Sequence, residues 1–271
     1  MLEKRNEHKE FVKKNILRMQ NDETFYAKNQ EYLEYLLKFY YQYNFTWLGR
    51  PIIQIPQDIY AVQEMVWATK PDLIIETGIA HGGSMVCAAS FLAQLDLMDS
   101  LTGPKIDGQI ILKKKRHVLG IDIEIRDHNR IALDEHPLKS YWSTIEGSSV
   151  DPDIIAKASD TASEYGRVMV LLDSNHTHSH VLSELYAYGP LVSRGCYLVV
   201  WDSGLEDASD AADQTIRSER PWGKGNNPKT ALIEYLDLVD PDREIYQIDR
   251  SLRTKIGISA TSDSFLLKLK D

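Results

Sequence analysis

The chain has 271 residues, 43% of them hydrophobic and 26% charged, and a formal net charge of −9. That length suits one large domain, or one domain with a small addition. The acidic balance argues against general nucleic-acid binding, and no run approaches the ~20 apolar residues that span a bilayer.

The N-terminus, Met1-Leu-Glu-Lys-Arg-Asn-Glu-His8, is charged and has no signal-peptide core, so a cytoplasmic location is expected. Residues 1–50 read as a helical extension, separate from the α/β pattern of the remaining chain. Leu33, Leu36, Leu37 and Tyr40 recur at helical spacing, with Glu31, Glu34 and Lys38 on other faces. The stretch from Tyr32 to Trp47 is crowded with aromatics, among them Tyr35, Phe39, Tyr40, Tyr41, Tyr43 and Phe45. They serve either as core or subunit-interface packing, or as an aromatic wall for an acceptor. Gly49-Arg-Pro51 breaks the pattern, Ile52–Ile55 is extended, and Pro56-Gln-Asp58 starts a helix in which Ile59, Val62, Met65 and Val66 share a face.

Residues 51–271 read as an α/β domain organised around Leu73-Ile-Ile-Glu-Thr-Gly-Ile-Ala-His-Gly-Gly-Ser84. Leu73, Ile74 and Ile75 have the apolar run of a strand buried on both faces. Glu76 ends it, glycines 78, 82 and 83 make a turn, and Ser84 suits the N-cap of an apolar helix, Met85–Leu97. The glycines let the backbone approach a ligand closely. The pattern Glu76-x-Gly78-x-Ala80-x-Gly82 differs from the G-x-G-x-x-G of a pyrophosphate binder. An acid at the strand end suits a cationic ligand end, such as the sulfonium and amino group of S-adenosylmethionine. An ordinary tight turn remains the alternative.

A polar, irregular insertion is expected at about 100–109, and Lys113-Lys-Lys-Arg116 as a solvated loop before a second strand. That strand, His117–Asp122, again ends on an acid, which suits a ribose hydroxyl pair. Asp122 follows Gly78 at more than the ~20 residues of a dinucleotide fold, and the insertion accounts for the excess. Residues 127–140 read as a loop or short helix. Trp142–Glu146 is a third strand, Gly147-Ser-Ser149 a turn, and Asp151-Pro152 opens a helix. Val168–Leu172 is a fourth strand ending on Asp173, and Ser174-Asn-His-Thr-His-Ser-His180 leads into a helix to Tyr188. A fifth strand, Cys196–Val200, leads to Trp201-Asp202 and a loop at about 204–213. A helix over Lys229–Leu238 and a late antiparallel strand pair, Ile245–Ile248 and Phe265–Leu269, complete the pattern. The two cysteines, Cys87 and Cys196, read as buried small hydrophobes.

The alternation implies a doubly wound, mostly parallel sheet, which binds ligands beyond the carboxyl ends of its strands. Glu76, Asp122, Asp173 and Asp202 occupy those ends. The first two read as cofactor ligands. The last two read as a hard-cation site for Mg²⁺ or another divalent cation, able to orient a diol. His176 reads as a general base beside it. If the helix has already begun there, His176 and His180 share a face and His178 does not.

Several stretches resemble the cephalosporin hydroxylase / rhamnosyl O-methyltransferase family, a branch of the class I S-adenosylmethionine-dependent methyltransferases. They are Trp47-Leu-Gly-Arg-Pro-Ile-Ile-Gln54, Pro56-Gln-Asp58, Gln63-Glu64, residues 71–84, Gly120-Ile-Asp122, Leu172-Asp-Ser-Asn-His176 and Arg220-Pro-Trp-Gly-Lys-Gly-Asn-Asn-Pro-Lys-Thr230. The resemblance implies a Rossmann-like fold. It implies that Glu76, Gly78, Gly82 and Ser84 line the methionine end of S-adenosylmethionine, and that Asp122 binds its ribose. Ala80 and Ser148 join that cofactor set. Asp173 and Asp202 would hold a divalent cation, with His176 and Asp173 as the catalytic pair. One departure stands out: related metal-dependent members tend to carry Glu-Asp where this chain has Trp201-Asp202. The expected activity is O-methylation of a sugar hydroxyl in glycan, surface-polysaccharide or glycosylated natural-product synthesis. The acceptor is a small molecule or glycan, and the aromatic N-terminal segment suggests a homo-oligomer. A cephalosporin-hydroxylase-like oxidative component and a non-catalytic cofactor-binding homologue are the alternatives.

Overall fold

The computed structural model describes residues 2–104 and 110–270. Two helices, α1 (Leu2–Gln20) and α2 (Phe25–Leu37), come first. The extension is helical only that far. A 3₁₀ turn comes next at Tyr41–Tyr43, then a hairpin of β1 (Phe45–Trp47) and β2 (Arg50–Ile52). Leu48 and Gly49 make its two-residue turn, both with positive φ, the geometry that matches the twist of paired strands.

The main sheet holds β3 (Leu73–Thr77), β4 (His117–Asp122), β5 (Trp142–Glu146), β6 (Val168–Leu172), β7 (Tyr197–Val200), β8 (Tyr246–Ile248) and β9 (Phe265–Lys268). Their spatial order is β5-β4-β3-β6-β7-β9-β8. Strands β3 to β7 run parallel, and β9 runs antiparallel to both β7 and β8. This is the expected doubly wound arrangement, including the closing antiparallel pair. Every residue of β3 and β6 is buried, as their unbroken apolar runs require of strands covered on both faces. Strand β3 continues through Glu76 to Thr77, one turn of pleat further than its apolar run alone indicates.

The flanking helices are α3 (Pro56–Thr69), α4 (Gly83–Thr102), α5 (Asp127–Asp134), α6 (Pro152–Ser163), α7 (His178–Tyr188), α8 (Asp210–Glu219), α9 (Pro228–Val239) and α10 (Arg250–Ile256). Helix α3 packs on α4, and α7 on α9. Val62, Met65 and Val66 of α3 are buried, as their shared face predicts. Helix α4 is apolar on nearly every side and is accordingly sunk in the core. Truncating a fully buried member such as Leu92 to Ala is expected to cost about 2–5 kcal/mol.

Four expectations are corrected. Ser84 is not the N-cap of α4: Gly82 takes that place with φ +80°, and Ser84 lies in the first turn. The stretch expected as irregular from residue 100 is helical through Thr102; residues 105–109 lie outside the described residues. Arg116 is not solvated, because Asp96 of α4 pairs with it at 2.6 Å and Asp99 at 2.9 Å, which lets the guanidinium be buried. The expected loop at 204–213 contains a 3₁₀ turn, Ser203–Asp207, and the start of α8, where Ser209 caps the helix by accepting from Ala212 N–H. Both cysteines are buried and unpaired, as expected.

Candidate active site

The chain leaves β3 for β4 and β5, then returns to β6 on the other side of β3. The sheet order therefore reverses between β3 and β6, where such folds open a crevice at the carboxyl ends. Gly78 comes directly after β3, and Asp173 directly after β6. Gly78 has φ +81°, and a Cβ there would lie 2.0 Å from the Asp173 carbonyl oxygen, so the position admits only glycine.

The turn is held by side chains from other elements. Asp122 Oδ2, at the end of β4, accepts the N–H groups of Ile79 and Ala80, both at 2.9 Å. Arg50 Nη2 donates to His81 O and to Asn129 Oδ1, each at 2.7 Å, and Asn129 Nδ2 donates to Ala80 O at 3.3 Å. The hairpin and α5 thus brace the turn from outside.

Glu76 is fully buried. Burial pushes its carboxyl up to about 7, against the hydrogen bond that Ser84 Oγ donates to Oε1. Its Oε2 is buried without a partner. Glu76 faces a small cavity of about 20 Å³ that Gln54, Ser84 and Trp201 also border.

Asp173, His176 and Asp202 offer donor atoms that all lie within 4.8 Å of one another. His176 Nε2 meets Asp202 Oδ2 at 3.1 Å. The imidazole also packs edge-to-face on Trp222, with centroids 4.9 Å apart. Gln54 Nε2 donates to Asp173 Oδ2 at 3.1 Å. Burial, and then repulsion from Asp202, raise the Asp173 carboxyl well above the ordinary range. A cation between the two carboxylates would relieve both effects. Trp201 is buried and packs on Phe265, so it supplies no donor to this cluster.

The three histidines separate. Helix α7 begins only at His178, so His176 precedes it. His178 turns away, to Thr230 Oγ1 at 2.8 Å and Glu234 Oε2 at 3.0 Å. His180 reaches Ser149 Oγ at 3.0 Å and lies 3.7 Å from the buried Glu184. A two-histidine, one-carboxylate set, which an oxidative iron site needs, is not what these residues form: the cluster holds two carboxylates and one imidazole.

One cleft of about 1340 Å³ joins these parts. Of the expected cofactor residues, Gly78, Ala80, Ser84, Asp122 and Ser148 border it, and Glu76 and Gly82 do not. Asp173, His176 and Asp202 border it as well. Leu37, Tyr40 and Tyr43 border it too, as do Ala212 and Ile216 of α8. Sequence reasoning gave no role to Gln54, Trp222 or α8. Gln54 and Trp222 fall inside the stretches that carry the family resemblance, but Gln54 lies 119 residues from its partner Asp173. The readable mark of α8 was its cap, Ser209.

Residues 39–269 match the family model described as rhamnosyl O-methyltransferase/CmcI. A rhamnosyl O-methyltransferase of Mycobacterium leprae is 30% identical over 227 residues, covering 82% of this chain and 82% of its own length. Another, from Mycobacterium bovis (strain BCG / Pasteur 1173P2), is 28% identical over 251 residues, covering 90% of this chain and 88% of its own. An apo structure of CmcI superposes with a TM-score of 0.53 over 84% of this chain and 78% of that one, at 15% identity, a likeness of fold. The matched segment takes in the hairpin, the glycine turn and the Asp173–His176–Asp202 cluster, and by it the chain belongs to the rhamnosyl O-methyltransferase/CmcI family.

Proposed function

We propose that the protein is an S-adenosylmethionine-dependent O-methyltransferase acting on a sugar hydroxyl, in glycan, surface-polysaccharide or glycosylated natural-product synthesis. The observation that carries this reading is the meeting of two sites in one cleft: the glycine turn with Asp122, and the Asp173–His176–Asp202 cluster. The named curated relatives, rhamnosyl O-methyltransferases, support the choice of a sugar as acceptor.

The residues present fit the cofactor. Gly78, Ala80 and Ser84 would line its methionine end, and Asp122 and Ser148 its nucleoside end. Glu76 stands behind Ser84 with a partnerless Oε2, and a cationic amino group bound near Ser84 would favour its ionised form. S-adenosylmethionine supplies an electrophilic methyl on its sulfonium. The donor set also fits a divalent cation, Mg²⁺ first. Held by Asp173 and Asp202, it would steady the acceptor oxygen and favour its deprotonated form.

His176 is the base in this reading. Imidazole is the side chain suited to take a proton near neutral pH. In the tautomer that donates from Nε2 to Asp202, Nδ1 is the nitrogen left to receive the hydroxyl proton. Trp222 fixes the ring plane. Rate enhancement then comes mainly from holding two reactants together.

Residues 1–50 would serve the acceptor side of residues 51–271, since Leu37, Tyr40 and Tyr43 border the cleft. Tyr32, Tyr35 and Phe39 are exposed and offer a face for self-association, a reading that a monomer by light scattering would remove. Among the described residues no helix is long and apolar enough to cross a membrane.

Calorimetric titration with S-adenosylhomocysteine, with and without Mg²⁺, tests the reading. Saturable binding followed by methyl transfer to a rhamnoside supports it. Absence of binding in both conditions overturns it.

A further inference from the structure

Helix α8 has no buried side chain along its length. A helix this short is marginal in water, so what grips it from outside sets its position. On one side the 221–226 loop holds it: Asp213, in its first turn, accepts from Lys224 N at 2.7 Å and from Arg217 Nε at 2.9 Å, and Arg217 also donates to Lys224 O. At its head, the capping Ser209 donates through N–H and Oγ–H to the Glu34 carboxylate at 2.8 and 2.6 Å. Glu34 belongs to α2, outside the sheet, and Gln30 Nε2 holds the same carboxylate at 3.0 Å.

Both helices border the cleft, α2 through Leu33 and Leu37 and α8 through Ala212 and Ile216. Ala212 and Ile216 are only half-buried, so a ligand in the cleft would cover them further. The glycine turn that borders the same cleft is built differently. Among the described residues, the glycine turn is held by Asp122, Arg50 and Asn129, with no hydrogen bond to Glu34 or Ser209.

We propose that Glu34 is a positioning residue for the acceptor: by gripping Ser209 at the head of α8, it sets the distance between the N-terminal helices and α8, the two walls along which the acceptor lies. The proposal rests on the reading of this cleft as a methyltransferase site. The N-terminal extension is then part of the acceptor site. Loosening the grip weakens acceptor binding and leaves cofactor binding intact.

The test uses the full chain with Glu34→Ala, Glu34→Gln and Ser209→Ala. Hydrogen exchange is monitored across residues 209–219 with S-adenosylhomocysteine bound. Cofactor affinity is measured by calorimetry, and acceptor kinetics with p-nitrophenyl rhamnoside as the probe. In Glu34→Ala the α8 amides are expected to exchange faster, and the probe KM to rise about tenfold, equivalent to ~1.4 kcal/mol. Ser209→Ala should move the same readouts in the same direction. Glu34→Gln, whose amide oxygen still accepts from Ser209, should recover much of the loss. The S-adenosylhomocysteine Kd and the kcat should stay near wild type. Unchanged exchange in Glu34→Ala overturns the proposal, and so does a cofactor Kd that weakens in step with KM. Faster exchange with an unmoved KM overturns the positioning role alone. A wild type that binds no S-adenosylhomocysteine overturns the methyltransferase reading and the acceptor role with it, while the exchange data still decide whether Glu34 holds α8.

Discussion

Gly78 lies with its Cα against the Asp173 carbonyl, so close that a Cβ would stand 2.0 Å from that oxygen. The turn proposed to face the cofactor and the turn proposed to carry the chemistry are therefore packed back to back. Gly78→Ala must either abandon its positive φ or push Asp173 away. A strained backbone of this kind costs about 1–3 kcal/mol, so S-adenosylhomocysteine affinity is expected to fall at least about tenfold. Calorimetry and a thermal melt on the same sample check it. An unchanged Kd would mean that the turn yields freely.

His176→Ala is expected to lower kcat by about 10²–10⁴-fold, the usual reach of a positioned general base. Its contacts are with Asp202 and Trp222, not with the glycine turn, so cofactor affinity should hold. Rates under saturating acceptor, paired with calorimetry, separate the two. A kcat like that of the wild type would remove His176 as the base.

Asp122 and Asp202 should differ in what they disturb. Asp122→Ala deletes the acceptor for Ile79 and Ala80 N–H, so the turn itself loosens and S-adenosylhomocysteine binding should weaken by about tenfold or more, on the order of one charge-assisted hydrogen bond. Asp202→Ala should leave that binding nearly unchanged and weaken Mg²⁺ binding. Equal losses of cofactor affinity would erase the division between cofactor and metal acids.

Buried Asp58 predicts a pH dependence of stability. Burial pushes its carboxyl from 3.8 up to about 7, against hydrogen bonds from Ser259 Oγ and Ala260 N. The folded state then binds more protons than the unfolded state between those values, so stability falls as pH rises through that window. Asp58→Asn is expected to flatten the fall. Chemical denaturation of both proteins at pH 5 and pH 7.5 checks it (roughly 1.4 kcal/mol for each pKa unit of displacement). Parallel pH profiles would show that Asp58 does not titrate in this range.

The sheet was legible because its strands are short apolar runs closed by acids. Val168–Leu172 before Asp173 is the clearest case, and burial of all five of those residues explains the pattern. What stayed hidden depended on partners far along the chain. Arg116 looked solvated because nothing near it in sequence announces Asp96. Helix α8 escaped because Asp-Ala-Ala-Asp-Gln-Thr has no buried stripe for a periodicity to show. The hairpin escaped because three-residue strands are too short to alternate. In the candidate site, the acids could be placed at strand ends from sequence, but their neighbours could not. Glu76 lies behind Ser84, whose hydroxyl faces it, and the histidine triplet disperses because its helix starts two residues after His176.

The absence of a core under α8 has a consequence for descent. A segment that contributes no buried side chain can be rewritten without unsettling the sheet. Residues 210–219 can therefore change while the sheet and the glycine turn stay as they are. Grafting that segment from one family member to another offers a route to new acceptor preferences on an unchanged cofactor frame.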